Sequence, residues 1–469
     1  MSVQASQGRK ITSSHIKWAI TIICTVLVMC IPVNDVFTIQ LKYFFAITLF
    51  NIFLLAFSLL PLIVPALLLP IGYWIFKVAE PAVIYGSWGN QIAWVVLGGL
   101  IFANMMTKSG LSKRIAYKCM TLARGNFVAL MFILLIPGII ITPFVPAAVA
   151  RCAIFCTILM SLCQAMGYDA YSPKAVIAFI VGYVVSINTS YLFLTGTNAN
   201  LIAVGFLENV GISVSFGRFF ICNFVPCLLW LIASIVLVLF LNRTKEKDDK
   251  ATMKKHLDQQ YHSLGKMSAT EKKMLTMMIV VMVLLLTSNY HSLNAGMIFC
   301  VAIAVGFLPG INLIKQEDLQ RINFTMVFLV TACVAIGDVA TVLGAGDLIM
   351  NALMPYAPES FGMMSVFVWI ITVLGNLLMT PLAIISSLSL PIITLSQNFG
   401  INPEAMIYIF LFSTNAVILP YEVAAGMVFI GFGRINTKQF MKNLGAIGIL
   451  SLVCIFIFYI PWFKIIGLI

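Results

Sequence analysis

The sequence predicts an all-α membrane protein that crosses the bilayer many times. Of its 469 residues, 61% are hydrophobic and only 9% are charged, whereas soluble domains carry about 25% charged residues. The mean hydropathy is +1.04. A water-soluble fold cannot bury so many apolar side chains, so we expect lipid to be the solvent. Since one span needs roughly 20 apolar residues, the length allows about ten to twelve spans.

The distribution of charge supports the same class of protein. The net charge is +12, with 28 Lys and Arg against 16 Asp and Glu. In a soluble protein such an excess indicates nucleic acid as a partner. Here the basic residues lie in short loops between apolar runs, which is the positive-inside pattern. We therefore expect the lipid bilayer as a partner, and no nucleic acid.

The first predicted spanning helix runs from near His15 to near Val33. It resembles a signal peptide in outline, but no small-residue cleavage site follows it. Arg9, Lys10 and Lys17 flank its start and predict a cytoplasmic N-terminus. Further apolar runs predict the remaining spans at 43–70, 92–106, 126–166, 173–206, 217–241, 274–288, 294–309, 323–342, 362–399, 404–433 and 440–461.

One long hydrophilic segment, 242–273, separates two groups of apolar runs. It holds nine Lys or Arg and five Asp or Glu, so the charge rule predicts a cytoplasmic location. It is short for a separate domain, and we expect it to link two halves. The C-terminal tail carries only Lys464, which predicts an outside C-terminus and an odd number of spans.

Four apolar runs contain residues that disfavour a helix. Pro lacks an N–H group, and Gly and Asn accept non-helical dihedral angles. In lipid such interruptions persist only where protein or a cavity satisfies the freed backbone groups. The first predicted break is 142–151, which contains Thr142-Pro143, and the second is 195–200, which contains Thr195-Gly196-Thr197-Asn198. The third is 380–387, which contains Thr380-Pro381, and the fourth is 420–426, which contains Pro420-Tyr421-Glu422.

The breaks recur in the same order in the two halves of the chain. Gly110 aligns with Gly344, Thr142-Pro143 with Thr380-Pro381, and 200–205 with 426–431. With a cytoplasmic N-terminus and an odd number of crossings in each half, this correspondence predicts two inverted repeats. Inverted repeats with paired broken helices are a transporter design, in which the site lies near the bilayer midplane.

An unwound helix exposes free N–H groups and the positive end of its dipole, which suits an anion. The opposing free carbonyl groups suit a small cation. Polar side chains cluster at the breaks, and we predict that they contact the substrate. Those side chains and backbone positions belong to Thr195, Gly196, Thr197, Asn198, Asn200 and Ser386, with Thr380 and Ser387 beside them.

Arg151 is a basic residue in an apolar run. A charge at this depth costs roughly 2.5–3.5 kcal/mol on insertion scales, so its side chain should face protein or water. A guanidinium is a natural partner for a substrate carboxylate. Alternatively, it pairs with Asp169, Glu208 or backbone carbonyl groups for structural reasons, or reaches to an interface.

Two acidic residues also lie in apolar runs. Glu422 in the fourth break could bind a coupling cation, pair with Arg151, take a proton, or serve as a structural partner. Asn415, just upstream, and Asn198 could share the coupling ion. Asp338 could cap a local turn, lie in a polar seam, or join the site.

Four segments resemble the divalent-anion:sodium symporter (DASS) family, which includes citrate/succinate and tartrate/succinate exchangers and plastid oxoglutarate/malate translocators. Residues 94–115 are similar to its first helix-to-hairpin segment, and 142–151 to the tip of its first re-entrant hairpin. Residues 194–200 and 419–426 resemble its two unwound substrate helices. The resemblance extends over nearly the whole chain, with the motifs in the family's order.

The resemblance implies eleven transmembrane helices plus two re-entrant hairpins, a homodimer, an elevator motion, and di- or tricarboxylates driven by sodium or by exchange. It adds Ala147, Ala148 and Tyr421 to the substrate contacts. The implied organisation is N-terminal scaffold helices at 1–91, a first inverted repeat at 92–241, a cytoplasmic linker at 242–273, further scaffold helices at 274–322, and a second inverted repeat at 323–469.

The hairpin tips depart from the family pattern. The family carries Ser-Asn-Thr at each tip, where it helps to bind carboxylate and sodium. Here residues 147–149 are Ala-Ala-Val, and 383–386 are Ala-Ile-Ile-Ser. We therefore expect sodium to matter little.

These observations predict a secondary transporter of small organic anions in a bacterial inner membrane. One alternative is a transporter of the same fold whose different cargo is coupled to protons through Glu422. Another is a membrane sensor or scaffold that does not transport. The sequence has no phosphate-binding glycine loop, metal-ligand cluster or Ser/His/Asp set, which argues against an ATP-driven pump and an enzyme. We expect no cofactor other than Na⁺ or H⁺ as a coupling ion, and no metal site.

Overall fold

A computed structural model describes residues 13–57, 59–89, 91–244, 249–291, 293–322, 324–345, 348, 358–378 and 380–469. In this part of the chain all regular structure is helical. The helices before the hydrophilic segment are α1 (Ser13–Cys30), α2 (Ile39–Ala56), α3 (Ile63–Ile75), α4 (Gln91–Ser109), α5 (Leu111–Thr121), α6 (Phe127–Ile133), α7 (Leu135–Ile141), α8 (Ala148–Ala165), α9 (Pro173–Ile187), α10 (Asn198–Asn209) and α11 (Phe216–Leu241).

In the residues that the structure describes, the hydrophilic segment and the second half contribute nine more helices of eight residues or longer. They are α12 (Lys250–His262), α13 (Ala269–Leu286), α14 (Ala295–Phe307), α15 (Thr325–Val342), α16 (Phe361–Leu378), α17 (Pro381–Asn398), α18 (Pro403–Ser413), α19 (Ala424–Gly431) and α20 (Thr437–Cys454). Short helical turns lie at Pro81–Ile84, Gly86–Trp88, Thr142–Phe144, Asn188–Leu192, Leu194–Gly196, Ser288–His291, Gln316–Arg321, Pro420–Glu422, Ile455–Tyr459 and Ile460–Ile465.

Eight helical segments in the described residues are long and apolar enough to cross a bilayer, and five further apolar helices are shorter. The eight are Ile39–Ala56, Pro81–Ser109, Phe127–Phe144, Ala148–Ala165, Pro173–Leu192, Phe216–Leu241, Thr325–Val342 and Thr437–Ile465. Large apolar side chains such as Ile75 and Ile449 lie on the outer surface, each 66% exposed, as lipid contact requires. The prediction of an all-α, multi-pass membrane protein is confirmed.

Polar side chains start many of the helices that begin in loops. Ser172 and Asn402 accept hydrogen bonds from the first turns of α9 and α18, and a Pro follows each of them. Such a cap satisfies N–H groups that have no partner within the helix, and Pro suits the first helical position. Gly110 and Gly344, which were aligned between the halves, both have positive φ just after α4 and α15, a conformation that favours glycine.

The alignment of the halves holds at one pair of breaks and shifts at the other. Thr197 and Val423 are both extended, and a helix begins directly after each, as the alignment of 200–205 with 426–431 requires. At the hairpins, however, α8 begins six residues after Thr142, whereas α17 begins directly after Thr380. The reason is that the Thr380 side chain caps α17, while the Thr142 hydroxyl bonds to Thr189.

The hydrophilic segment is more ordered than a simple link. Its helix α12 packs against α5 and α8, with the side chains of Met253 and Leu257 buried. Arg114 of α5 forms an ion pair with Glu271 at the start of α13, with Nε and Oε1 2.6 Å apart. It also donates to the carbonyl groups of Leu264 and Gly265. These contacts fasten the segment to the helix that leads into the first hairpin.

The two halves are interleaved around the breaks. Helix α19, which follows the fourth break, packs against α8 of the first half. Helix α10, which follows the second break, packs against α17 of the second half. This exchange brings the four predicted breaks into one region of the fold.

Candidate functional site

The first unwound segment lies between α9 and α10. Two short 3-10 turns, Asn188–Leu192 and Leu194–Gly196, replace the α-helix there, and Phe193 and Thr197 are extended. Gly196 is required at its position, because a Cβ would collide with the carbonyl oxygen of Ser190. The chain is therefore shaped by glycine where the sequence predicted the break.

The tip of the first hairpin is hydrogen-bonded to the first unwound segment. The hydroxyl group of Thr195 donates to the carbonyl oxygen of Pro143 at 2.8 Å. The hydroxyl groups of Thr142 and Thr189 lie 2.7 Å apart. Both contacts are buried, so the first and second predicted breaks form one unit.

Arg151 joins the same unit from the first turn of α8. Its side chain is fully buried. It donates to the carbonyl groups of Ser186, at 2.7 Å, of Val145 and of Gly196, at 3.1 Å, and to the hydroxyl group of Ser190. Four of its five N–H groups are thus used. In the described part of the chain no carboxylate pairs with Arg151, and its partners are three backbone carbonyl groups and one hydroxyl group.

The second unwound segment lies between α18 and α19. It is stabilised by an acidic side chain, whereas the first segment is stabilised by the basic side chain of Arg151. Its 3-10 turn is Pro420–Glu422, and Leu419 and Val423 on either side are extended. The buried carboxylate of Glu422 accepts from the backbone N–H groups of Ile418, at 3.2 Å, and Leu419, at 2.8 Å. In the first break a cation thus satisfies free carbonyl groups, and in the second an anion satisfies free N–H groups.

Asn376 was not predicted from the sequence. It lies on α16, is buried, and its amide donates to the carbonyl oxygens of Thr414, at 3.2 Å, and Ala416, at 3.3 Å. It satisfies free carbonyl groups of the second break, as Arg151 does in the first. The sequence signal that could have identified Asn376 was a single Asn within an apolar run. Ser190 and Tyr191, which contact Arg151 and Thr414, respectively, gave no comparable signal.

Several predicted amide side chains keep an unpaired buried oxygen. Asn200 donates to the carbonyl groups of Ser190 and Phe193, both at 2.9 Å, and its own Oδ1 has no partner. The Oδ1 atoms of Asn198 and Asn415 are likewise buried without a partner in the described structure. Unpaired acceptors at membrane depth suit a cation or a ligand that carries hydroxyl groups.

Three helices that begin at the breaks have no capping side chain. They are α8 after Ala147, α10 after Thr197, and α19 after Val423. Ala147, Ala148, Thr197 and Asn198 are half-buried, so the starts of α8 and α10 are accessible. Uncapped helix N-termini with free N–H groups bind anions.

The remaining predicted residues are Ser386 and Tyr421, together with Asp338. Ser386 is inside α17 rather than in a break, because Thr380 and Pro381 start that helix; it is buried and donates to Leu382, at 2.8 Å, and Cys333. The backbone of Tyr421 forms part of a 3-10 turn, but its side chain lies outside the described residues. Asp338 is half-buried on α15.

Comparison with known proteins identifies the family of this chain. Residues 12–469 match the family model described as the sodium:sulfate symporter transmembrane region. The L-tartrate/succinate antiporters of Shigella dysenteriae serotype 1 and of Escherichia coli K12 are each 23% identical to this chain over 403 residues. The alignment covers 81% of this chain and 80% of each antiporter.

A crystal structure of the YdaH transporter of Alcanivorax borkumensis is also similar to this chain. The TM-score is 0.48 with 13% sequence identity, and the match covers 80% of this chain and 87% of that one.

Proposed function

The chain belongs to the family of the sodium:sulfate symporter transmembrane region and is a multi-pass anion transporter rather than an enzyme, and we propose that it exchanges small dicarboxylates such as tartrate and succinate. The resemblance to the divalent-anion:sodium symporter family is confirmed by this match. The proposed membrane is the bacterial inner membrane, with the N-terminus in the cytoplasm and the C-terminus outside.

The observation that carries the proposal is the group of uncapped helix starts at the breaks. The carbonyl group of Gly196, just before α10, accepts from Arg151 in the first turn of α8, so these two N-termini are tied together. Helix α19 packs against α8. Three positive dipole ends in one region favour a ligand with more than one negative charge.

We propose that the substrate is bound by backbone N–H groups and by Thr197 and Asn198, which are half-buried. Arg151 holds the site's shape, because four of its five N–H groups donate to oxygens of the protein. Asn198 and Asn200 offer amide oxygens to hydroxyl groups of a substrate such as tartrate. This mode of binding needs few polar side chains at the hairpin tips, which agrees with Ala147 and Ala148 there.

We further propose that the chain works as two inverted repeats in a homodimer, with an elevator motion of the region that contains the breaks. The interleaving of α10 with α17 and of α19 with α8 supports motion of the breaks as one body. The proposed divisions are 1–91, 92–241, 242–273, 274–322 and 323–469.

Arg151 also suggests how transport is coupled. Its guanidinium is surrounded by three carbonyl oxygens and one hydroxyl oxygen. Carbonyl groups freed by an unwound helix are the ligands that transporters offer to Na⁺. Here a tethered cation occupies this set of oxygens, so we propose exchange without sodium.

Counterflow in proteoliposomes tests this function. Vesicles are loaded with succinate or left empty, and uptake of labelled tartrate and labelled succinate is measured with Na⁺ replaced by K⁺. We expect saturable uptake only into loaded vesicles, with rates equal in Na⁺ and K⁺. Equal uptake into empty vesicles would rule out obligatory exchange, a steep Na⁺ dependence would rule out the coupling, and no uptake of either acid would rule out the substrate.

Proton coupling through Glu422 is a second candidate. The carboxylate is 3% exposed, and in the described residues its partners are backbone N–H groups without a cation. An ionised group without a cationic partner is costly at membrane depth, which favours proton binding. Uptake driven by an imposed pH gradient in wild type, and lost in Glu422→Gln, would select this candidate over exchange.

A further inference from the structure

An apolar groove runs along the outer surface between α13 and α14. Its volume is about 350 Å³. Along α13 it extends from Thr276 to Leu284, which is roughly 12 Å at 1.5 Å per residue. Along α14 it extends from Ile298 to Val305. The groove therefore follows the helix axes and has the shape of a slot for an extended chain.

The walls of the groove are aliphatic and open. Val280 on α13 is 51% exposed, and Val301 on α14 is 61% exposed. Ala302 also lines the groove and is buried, and its small side chain leaves space there. In the described structure no side chain covers this surface, so its occupant must be hydrocarbon or another apolar chain.

One basic side chain marks one end of the groove. Lys273 lines the groove at the start of α13, and its ammonium group donates to the carbonyl oxygens of Gly310 and Ile311. An ammonium has three donors, so one N–H remains for a ligand. The two carbonyl groups hold the charge at the mouth of the slot instead of leaving it on a free side chain.

Two acidic groups near this end are engaged in ion pairs. Glu271, two residues before Lys273, pairs with Arg114. Asp318, in the loop that follows Ile311, pairs with Lys108. The exposed Lys315 and Glu317 offset each other in charge. An anion at the mouth therefore meets the positive charge of Lys273.

We infer that this groove binds an anionic phospholipid, with one acyl chain in the slot and the phosphate at Lys273. The aliphatic walls select hydrocarbon, and the fixed ammonium selects a negative headgroup. Basic pockets between transmembrane helices are known to bind such headgroups. A second copy of this chain would have to cover the ammonium group of Lys273 while supplying a partner for it. The inference is independent of the transported substrate.

Native mass spectrometry of the purified full-length protein tests the inference. The protein is equilibrated with phosphatidylglycerol or with phosphatidylcholine of the same acyl chains, and the bound fraction is measured. We expect phosphatidylglycerol to be retained about fivefold better, the ratio that corresponds to about 1 kcal/mol for one basic residue at a membrane surface. Lys273→Gln should reduce this ratio to about one. Lys272→Gln, which removes the same charge outside the groove, should preserve most of it.

A second pair of variants tests the slot itself. Val301→Trp fills the groove and should lower retention of both lipids, whereas Ile449→Trp, on the exposed face of α20, should lower neither. Equal retention of the two lipids by the wild type, or an unchanged ratio in Lys273→Gln, would overturn the inference. So would a Val301→Trp variant that keeps its lipid but dissociates into monomers, because a second copy would then be the occupant.

Discussion

The hydroxyl groups of Tyr191 and Thr414 lie 2.9 Å apart and join the two unwound segments directly. Tyr191 belongs to the 3-10 turn that follows α9, and Thr414 ends α18. Both side chains are buried. Each hydroxyl belongs to a different half of the chain, so this bond links the two breaks.

We expect Tyr191→Phe to weaken the coupling of the two breaks and leave the fold intact. The substitution removes one buried hydrogen bond, which is worth about 1 kcal/mol, while Thr414 keeps its bond to the carbonyl oxygen of Leu411. The temperature of thermal unfolding and the rate of substrate exchange should both fall modestly. Tyr290→Phe, at a side chain that is 90% exposed, should change neither.

A double-mutant cycle makes this prediction specific. If the two hydroxyl groups act through their mutual bond, Tyr191→Phe and Thr414→Val together should cost less than the sum of the two single changes. Strict additivity of the unfolding free energies would mean that the 2.9 Å contact contributes nothing.

The positions of the breaks could be predicted because their causes are local. Gly196 and Pro420 disfavour an α-helix by themselves, and both lie in 3-10 turns instead of an α-helix. The bounds of the breaks were harder to predict than their positions. Residues 381–387 were expected to be unwound, yet they form the start of α17, because Thr-Pro is also the signature of a capped helix start.

The partners of the charged residues could not be read from the sequence. Arg151 was weighed as a substrate ligand or as a structural residue, and its bonds to Ser186 and Gly196 depend on contacts across 35 and 45 positions of the chain. Composition and periodicity do not encode such contacts. The same limit applies to Asn376, whose acceptors lie 38 and 40 positions away in the second break, and to the docking of α12, which its hydrophilic sequence did not indicate.

Gly196→Ala should abolish exchange while Gly431→Ala is tolerated. A Cβ at Gly196 would meet the carbonyl oxygen of Ser190, so the 3-10 turn would have to move and carry the start of α10 with it. At Gly431 no atom lies within 4 Å of the added Cβ. Counterflow measured at equal protein per vesicle compares the two. Normal exchange by Gly196→Ala would show that the shape of this turn is unimportant.

Docking of the hydrophilic segment should weaken in acid. Burial raises the pKa of Glu271, but hydrogen bonds from Arg114 and Ser268 lower it, and the net pKa is below its usual value. A carboxyl whose pKa is lower when folded adds stability above its unfolded pKa of about 4.3. That contribution is lost as the pH falls through the folded pKa.

Limited proteolysis between α11 and α13 measures this docking. We expect cleavage in the wild type to rise below about pH 4.3. Glu271→Gln, which costs about 2 kcal/mol for a charged hydrogen-bonded pair, should be cleaved faster at neutral pH and show a smaller change with acid. Identical pH profiles for the two proteins would show that the ion pair with Arg114 does not hold the segment.

Arg151 gives the sharpest prediction about coupling. Arg151→Ala removes four hydrogen bonds and leaves three carbonyl oxygens and the Ser190 hydroxyl without their cation. Each unsatisfied buried group costs about 1–3 kcal/mol, so exchange in K⁺ should fall by at least tenfold. The vacated oxygens form a ligand set suited to a small cation, so we expect Na⁺ to restore part of the lost exchange.

Two comparisons separate this role from direct substrate binding. Arg151→Lys keeps the charge but has three donors instead of five, so it should retain intermediate exchange with little response to Na⁺. Arg243→Ala, at an exposed loop residue, should behave as wild type. If Arg151 instead bound the substrate carboxylate, Arg151→Ala would raise the substrate concentration needed for half-maximal exchange, and Na⁺ would not restore the rate. If Na⁺ stimulates exchange by Arg151→Ala but not by the wild type or by Arg151→Lys, the guanidinium is identified as a fixed substitute for a coupling ion.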